Sequence, residues 1–243
     1  MNCLLLPLDN FSADNTAIID TVTQIEHVHH VLGAKVGDTL KIGQIGGNLG
    51  RAVIADMTND SIRLADVQLD MPPPAKLGLT VVLALPRPKV LRRLIMDMTA
   101  LGVDSIVLVN SYRTQKSYWQ SPMLERLDEF VLEGLQQGVD TMVPTIRLEK
   151  RFKPFVEDSL AELINGAAIV AHPYGAQSFA QFLQAESSSV LPTLVCIGAE
   201  GGWIDYEIAL FATQGCEAVH IGPRILRTEA AVNAILGQWL LVT

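Results

Sequence analysis

From residue 79 onward, short apolar runs alternate with amphipathic segments of helical length. The run at 79–85 contains no charged residue, as expected of a strand that is covered on both faces. The segment 89–101 repeats its apolar residues at helical spacing, follows Pro88 and stops at Gly102. Further strands are predicted at 105–109, 141–146, 167–171, 193–197 and 218–221. Because strands separated by helices form parallel sheets, this rhythm predicts a parallel α/β fold.

The first seventy residues follow a different pattern, with alternating polar and apolar positions between turn signals. Strands are predicted at 38–45, 49–57 and 61–68, with turns at Gly46-Gly47 and Asn59-Asp60. Several short strands over this length predict a small β-barrel. The proline-rich stretch at 71–75 has the composition of a stiff linker. We therefore assign 1–70 to a barrel domain, 71–76 to a linker and 77–243 to the α/β domain.

The net charge of −8 gives the chain no overall attraction to nucleic acid. The basic residues are nevertheless grouped in two short windows, which are either solvated surface or local patches for a selective RNA partner. The candidate RNA-binding residues are Arg87, Lys89, Arg92, Arg93, Lys150 and Arg151.

Three widely spaced cysteines without a CxxC motif predict a reducing, cytoplasmic environment and no disulfide or structural zinc. No window approaches the roughly 18 to 20 consecutive apolar residues that a membrane-spanning helix needs. We therefore expect neither a metal nor a membrane partner.

Two glycine-containing loops near the C-terminus each follow a predicted strand. They read Ile197-Gly198-Ala199-Glu200-Gly201-Gly202 and Ile221-Gly222-Pro223-Arg224-Ile225-Leu226-Arg227-Thr228-Glu229. In an open α/β sheet, ligands bind in the crevice at the carboxyl ends of the strands, where such loops meet. The acid Glu200 stands where phosphate-binding loops usually carry none, which favours a cationic or hydrogen-bond-donating ligand. A nucleotide-dependent Rossmann enzyme lacks support, because no GxGxxG motif follows the first strand of the α/β region.

These motifs resemble those of the SPOUT-superfamily RNA methyltransferases and, within them, the bacterial 16S ribosomal RNA uracil-N3 methyltransferase (RsmE-like) family. Residues 222–229 match the family pattern Gly-Pro-Arg-Ile-Leu-Arg-x-Glu-Thr, with Ala230 replacing its last residue. Four residues of the first loop match Gly-Pro-Glu-Gly-Gly, and His172-Pro173 matches a third strand end. The resemblance covers almost the whole chain.

The resemblance implies an α/β SPOUT domain with a C-terminal trefoil knot and a small N-terminal PUA-like β-barrel that helps to hold RNA. It also implies a homodimer with active sites at the subunit interface, and ribosomal RNA or the small ribosomal subunit as partner. The implied cofactor is S-adenosyl-L-methionine. Its implied binding residues are His172, Pro173, Ile197, Gly198, Glu200, Gly201, Gly202, Ile221, Gly222, Ile225, Leu226 and Thr228.

Methylation of uracil N3 requires loss of the N3 proton, after which negative charge spreads over the two carbonyl oxygens. Guanidinium groups are expected to stabilise that charge, and Arg224 and Arg227 are the candidates. Glu229 is a third catalytic candidate, although a carboxylate in the first turn of the last helix equally suits the helix dipole. This chemistry needs no metal.

The chain departs from the family pattern at Gly33, Ala100 and Asp140, where the family carries an arginine, a glutamate and an arginine respectively. These positions lie outside the predicted cofactor loops. They motivate an alternative, a catalytically impaired ribosome-assembly or RNA-binding protein that retains the knotted fold.

Overall fold

The computed structural model describes residues 2–185 and 191–241. The chain folds into two compact units. One comprises Met1–Ala75 and Val131–Val143, and the other comprises Lys76–Phe130 and Pro144–Thr243.

A six-stranded sheet forms the first unit. Its strands are β1 (Leu4–Leu6), β2 (Phe11–Ser12), β3 (Thr16–Ile19), β4 (Thr39–Gln44), β5 (Leu49–Met57) and β6 (Ile62–Met71), in the spatial order β1-β4-β5-β6-β3-β2. Only the β1–β4 pair is parallel. Alternate side chains such as Ile42, Ile54 and Leu64 are buried in its core. Among the described strands β1 and β2 stand at the two ends of this order and are not paired with each other, so closure into the predicted barrel stays a prediction.

Helix α1 (Val22–Glu26) continues into a π-helical turn at His27–Leu32. This turn ends at Gly33, whose φ of +60° is left-handed. A residue with a side chain is strained in that conformation, and glycine is the usual choice at the end of a helix. The departure from the family at Gly33 therefore has a local structural reason.

The last eight residues of α3 (Leu127–Gly138) belong to the first unit, although the sequence assigns them to the 77–243 domain. The reason is a buried amide network. Gln24 Nε2 donates to Leu5 O at 2.8 Å and to Gln136 Oε1 at 3.0 Å, while the Asn2 N–H donates to Gln136 O at 3.0 Å. Sequence periodicity contains no sign of these distant partners.

A seven-stranded, wholly parallel sheet forms the second unit, which confirms the predicted parallel α/β architecture. Its strands are β7 (Thr80–Ala84), β8 (Ser105–Val109), β9 (Thr145–Glu149), β10 (Ala168–Ala171), β11 (Gln177–Ser178), β12 (Leu194–Ile197) and β13 (Cys216–His220). The spatial order is β11-β13-β10-β12-β7-β8-β9.

Strand β9 begins four residues later than the sequence predicts. Residues 141–144 are not strand, because Thr141 O accepts a hydrogen bond from the Gly46 N–H at 2.8 Å within the first unit. The left-handed Val139, at φ +56°, turns the chain just before this point. An apolar run alone therefore overestimates the length of the strand at its start.

The remaining helices are α2 (Pro88–Ala100), α4 (Phe152–Asp158), α5 (Leu160–Leu163), α6 (Phe179–Ala185), α7 (Asp205–Thr213) and α8 (Thr228–Leu236). Helix α8 contacts α2 and β12, and Asn233 Nδ2 donates to Asp97 Oδ2 at 3.0 Å. Helices α4 and α5 are separate, because the chain breaks between them at Ser159 with φ −128°. Across the described residues, no helix combines the length and the apolar character needed to span a membrane.

Candidate functional site

Three loops converge at the carboxyl edge of the parallel sheet. Because β13, β10 and β12 are neighbours in the sheet, the loops that follow them lie side by side. These loops begin at Ile221, His172 and Gly198 respectively. The edge thus brings together three motifs that are separated by up to fifty residues in the chain.

A cavity of about 520 Å³ opens between these loops. Its volume lies within the range of about 300–1,000 Å³ that is typical of small-molecule sites. All twelve residues that the sequence assigns to the cofactor line it, namely His172, Pro173, Ile197, Gly198, Glu200, Gly201, Gly202, Ile221, Gly222, Ile225, Leu226 and Thr228. The structure therefore brings this set together in one place.

The loop after β12 is a tight turn that glycine makes possible. A Cβ atom on Gly198 would lie 2.8 Å from Gly202 Cα, and Gly202 has a left-handed φ of +67°. The Gly202 N–H donates to Ala199 O at 2.9 Å and closes the turn. The result is a stretch of bare backbone that a ligand can approach closely.

The loop after β10 is held against β13 by backbone contacts. The His172 N–H donates to Val219 O at 2.9 Å, and the Gly175 N–H donates to His172 O at 3.0 Å. A Cβ atom on Gly175 would lie 2.8 Å from Ala218 O, so this residue must be glycine. In the third loop Gly222 has a φ of +143°, and its N–H donates to His220 Nδ1 at 3.2 Å.

Two buried hydrogen-bonding groups on the cavity wall have no partner among residues 2–185 and 191–241. They are the Thr228 hydroxyl and the Trp203 indole N–H, on side chains of residues that are 4% and 3% exposed. The Trp203 ring packs against Phe152 and Phe211 at centroid distances of 5.8 and 5.0 Å. A buried polar group without a partner is costly, so a polar ligand that satisfies these two groups fits the site.

Glu200 is tied to the loop that follows β7. Its carboxylate accepts a hydrogen bond from the Arg87 backbone N–H at 3.1 Å, and Arg87 Nε lies 3.9 Å from the same oxygen. The Glu200 side chain is 25% exposed, so the ion pair remains in partial contact with solvent. We name residues 198–204, which follow β12, the glycine loop. Glu200 therefore orders the glycine loop as well as lining the cavity.

The three catalytic candidates are placed differently. Arg224 is exposed and lines the cavity. Arg227 is the exposed residue immediately before α8, and Glu229 lies half-buried in the first turn of that helix. Neither of them is among the residues that line the cavity. The first-turn position suits the interaction of Glu229 with the helix dipole.

The six candidate RNA-binding residues are all exposed, but they lie in different elements. Arg87 follows β7, while Lys150 and Arg151 follow β9, so these three share the carboxyl edge with the cavity. Lys89, Arg92 and Arg93 lie on α2. No cluster of three or more His, Cys, Asp or Glu side chains suited to a metal ion occurs within the described part of the chain.

Two residues of the site were missed by the sequence analysis. Arg113, in the loop after β8, lines the cavity and donates from Nη1 to Gly201 O. Glu207, which is 2% exposed, accepts hydrogen bonds from two loops. The position of Arg113 after a parallel strand was a usable signal. For Glu207 the signal was its place as the third residue of α7, where a glutamate often caps the helix.

Comparison with known proteins adds to this geometry. The family model of the RNA methyltransferase domain matches residues 73–240. Over 221 residues the chain is 30% identical to "Ribosomal RNA small subunit methyltransferase E" of Treponema pallidum (strain Nichols), which covers 86% of this chain and 79% of the relative. A protein of the same name from Synechocystis sp. (strain ATCC 27184 / PCC 6803 / Kazusa) is 27% identical and covers 90% of this chain and 71% of the relative.

A solved structure has the same fold over the whole chain. It is a ribosomal RNA small subunit methyltransferase E from Neisseria gonorrhoeae bound to S-adenosyl methionine, with a TM-score of 0.77. The alignment covers 100% of this chain and 98% of that one at 19% sequence identity. At this identity, the likeness concerns the fold.

Proposed function

The chain belongs to the RNA methyltransferase family, and from that premise we propose that it is an S-adenosyl-L-methionine-dependent methyltransferase of 16S ribosomal RNA. We further propose N3 of a uridine as the methylated atom. The observation that carries the proposal is the convergence of three family motifs on one cavity, with the Thr228 hydroxyl and the Trp203 N–H unsatisfied in its wall.

The cavity suits S-adenosyl-L-methionine in shape and chemistry. Bare backbone at Gly198 and Gly202 permits close approach of a flat ring, and apolar side chains such as Ile197 and Leu226 can cover its faces. The unpaired donors of Thr228 and Trp203 can bind polar atoms of the same molecule. When bound, this molecule would supply a methyl group on a positively charged sulfur.

Arg224 is the residue that we assign to the developing charge on the uracil oxygens. This residue lines the cavity and is exposed, and its guanidinium carries donors that match a carbonyl oxygen with partial negative charge. Arg227 and Glu229 remain catalytic candidates of the same motif. Part of the rate gain would come from holding the two reactants in line.

Charge is divided unequally between the two units, which bears on RNA binding. The first unit has four basic and eleven acidic residues, a net charge of −7, and the second has fourteen basic and fifteen acidic residues, a net charge of −1. We therefore assign the phosphate contacts to Arg87, Lys150 and Arg151 at the carboxyl edge and to the cations of α2. The first unit, as a PUA-like domain, would contribute selective contacts to RNA but little general electrostatic attraction to its phosphates.

The finer features of the family are part of the proposal. The path of the chain supports a C-terminal trefoil knot. Strand β10 lies between β13 and β12, and after β13 the chain returns as α8 to contact α2 and β12. A homodimer with its active sites at the interface is supported by apolar side chains exposed near the cavity, including Ile225 at 72% exposure. A cytoplasmic location is supported by three free cysteines.

Three measurements test the proposal. Calorimetry with S-adenosyl-L-methionine and with its demethylated product should show binding to one site per chain. Purified small ribosomal subunits from cells that lack this gene should accept a labelled methyl group, and the labelled nucleotide should be a uridine modified at N3. Absence of cofactor binding would contradict the proposal, and methylation at another atom would correct its uracil-N3 part.

The alternative of a catalytically impaired RNA-binding protein is not favoured. The departures that motivate it are absent from the cavity wall. Gly33 ends a helical turn with positive φ, and Asp140 accepts a hydrogen bond from the Met142 N–H at 2.9 Å in the first unit. Both are accounted for by local backbone structure.

A further inference from the structure

The segment at residues 110–114, which we name the β8 loop, is firmly anchored at its base. Thr114 Oγ1 donates to Leu85 O at 3.2 Å and lies 3.0 Å from Ser111 Oγ, and both residues are buried. The Trp119 indole N–H donates to Asn110 Oδ1 at 2.8 Å. The loop therefore has a defined position next to the cavity.

Glu207 joins this loop to the glycine loop through a single buried carboxylate. Oε1 accepts a hydrogen bond from the Tyr112 N–H at 2.8 Å, and Oε2 accepts one from the Ile204 N–H at 2.9 Å. Glu207 is 2% exposed. Hydrogen bonds from backbone N–H groups to an ionised carboxylate are short and strong, so each oxygen holds one loop. The Ile204 bond caps α7, but the Tyr112 bond reaches a segment 95 residues away and has no part in that helix.

Arg113 makes a second connection between the same two loops. Its Nη1 donates to Gly201 O, and its aliphatic stem lies against the Gly201 backbone. The residue is exposed, so this contact is not a consequence of core packing. One of its five N–H donors is used by Gly201, which fixes the backbone of the glycine loop on the cavity side.

We propose that Glu207 and Arg113 are positioning residues that clasp the β8 loop onto the glycine loop and hold Gly201 and Gly202 in the shape that binds the methyl donor. This inference rests on the proposed function. Without these two contacts the glycine loop would sample other conformations. Only a fraction of the molecules would then have the conformation that binds the cofactor, so the Kd for the cofactor would rise. The chemistry at Arg224 would be left unchanged once the cofactor is bound.

The test compares four variants with a matched control, and one of the four, Arg113→Lys, keeps a donor for Gly201 O. Glu207→Gln keeps the size of the side chain but faces one backbone N–H with an NH₂ group, and Arg113→Gln removes the guanidinium. The double variant combines them. Glu162→Gln, on the exposed surface of α5, makes the same loss of charge elsewhere. Calorimetry gives the Kd for S-adenosyl-L-methionine, and steady-state methylation separates its KM from kcat.

We expect each single variant to raise the Kd and the KM for the cofactor about tenfold, the effect of losing one charge-assisted hydrogen bond. The kcat at saturating cofactor should change less than threefold. The double variant should lose far less than the hundredfold expected of independent sites, because both residues act on one loop. Arg113→Lys, which can still donate to Gly201 O, should recover part of the affinity, and Glu162→Gln should behave like the wild type.

Cofactor affinity that is unchanged in Arg113→Gln would overturn the inference, even if Glu207→Gln failed to fold. A fall in melting temperature without any change in Kd or KM would do the same, since it would make the contacts merely structural. Failure of the wild-type protein itself to bind S-adenosyl-L-methionine would instead contradict the proposed function.

Discussion

The stem of Arg113 crosses the backbone of Gly201 so closely that a Cβ atom on the glycine would lie 2.7 Å from the arginine Cδ. Gly201 is not among the residues with positive φ, so space alone demands glycine there. Its neighbour Gly202 differs, since φ is +67° and nothing lies within 4 Å of the Cβ position. Adjacent glycines of one motif thus serve two physical purposes, room for a side chain and freedom of the backbone.

Gly201→Ala is expected to weaken binding of S-adenosyl-L-methionine at least tenfold, because the new methyl group must displace Arg113 and with it the glycine loop. In an Arg113→Ala background the same substitution should cost much less, since the obstructing stem is gone. Calorimetric Kd values for the four proteins of this cycle measure the coupling. Independent effects of the two substitutions would contradict the steric explanation.

Thr228→Val should stabilise the unliganded protein and weaken cofactor binding. Removing a buried hydroxyl without a partner is expected to raise the free energy of unfolding by about 1–3 kcal/mol. Loss of one hydrogen bond to the ligand should raise the Kd about three- to tenfold. Thr99→Val is the matched control, because its hydroxyl is also buried and unpaired but is not part of the cavity wall. That variant should be stabilised with its Kd unchanged, as denaturant melts and calorimetry can determine.

Arg224→Gln is expected to lower kcat by about 10²–10³, the usual effect of removing one donor to a developing oxyanion. The Kd for the cofactor should stay within a few-fold of wild type. Arg227→Gln should lower kcat less, because this residue is outside the cavity lining. Single-turnover methylation of the small subunit gives both rates. A larger loss for Arg227 would show that our assignment of the two arginines is reversed.

The salt dependence of RNA affinity should report the cations of the carboxyl edge. Changing Lys150 and Arg151 together to Gln is expected to weaken RNA binding and to reduce the slope of log Kd against log salt by about one to two. The control changes two exposed lysines of the first unit, Lys35 and Lys41, to Gln. We expect no phosphate contacts from this unit, because its net charge is −7. That control should leave the slope unchanged. Filter binding at four salt concentrations measures both.

The three buried thiols should resist labelling in the native state at pH 8 and react fully after unfolding. Burial raises the pKa of Cys3 from 9.0 to about 11, although Lys41 lowers it slightly. Between pH 9 and 11 the folded protein therefore keeps the Cys3 proton that the unfolded chain releases. The stability contributed by the buried Cys3 thiol is fully present below pH 9 and is lost as the pH rises to 11. Melting temperatures of wild type and Cys3→Ala should converge over that interval. A constant difference between them would contradict the raised pKa.

Local patterns along the chain were enough to predict the parallel α/β fold and the loops that line the cavity. Apolar runs that alternate with amphipathic helices can bury themselves only in a parallel sheet covered on both faces, and the sheet is found as expected. The glycine loops could be located because they follow strands and the carboxyl ends of parallel strands meet at one edge. These are local signals, contained in a few consecutive residues.

The distant residues that approach the glycine loop could be identified only from the folded chain. Glu207 holds Tyr112, and Arg113 crosses Gly201, through contacts between segments about ninety residues apart. The last eight residues of α3 likewise join the first unit because Gln136 meets Gln24 in a buried network. Spacing and periodicity describe neighbours along the chain, whereas a hydrogen bond depends on distance in space, and folding alone brings these atoms within 3 Å.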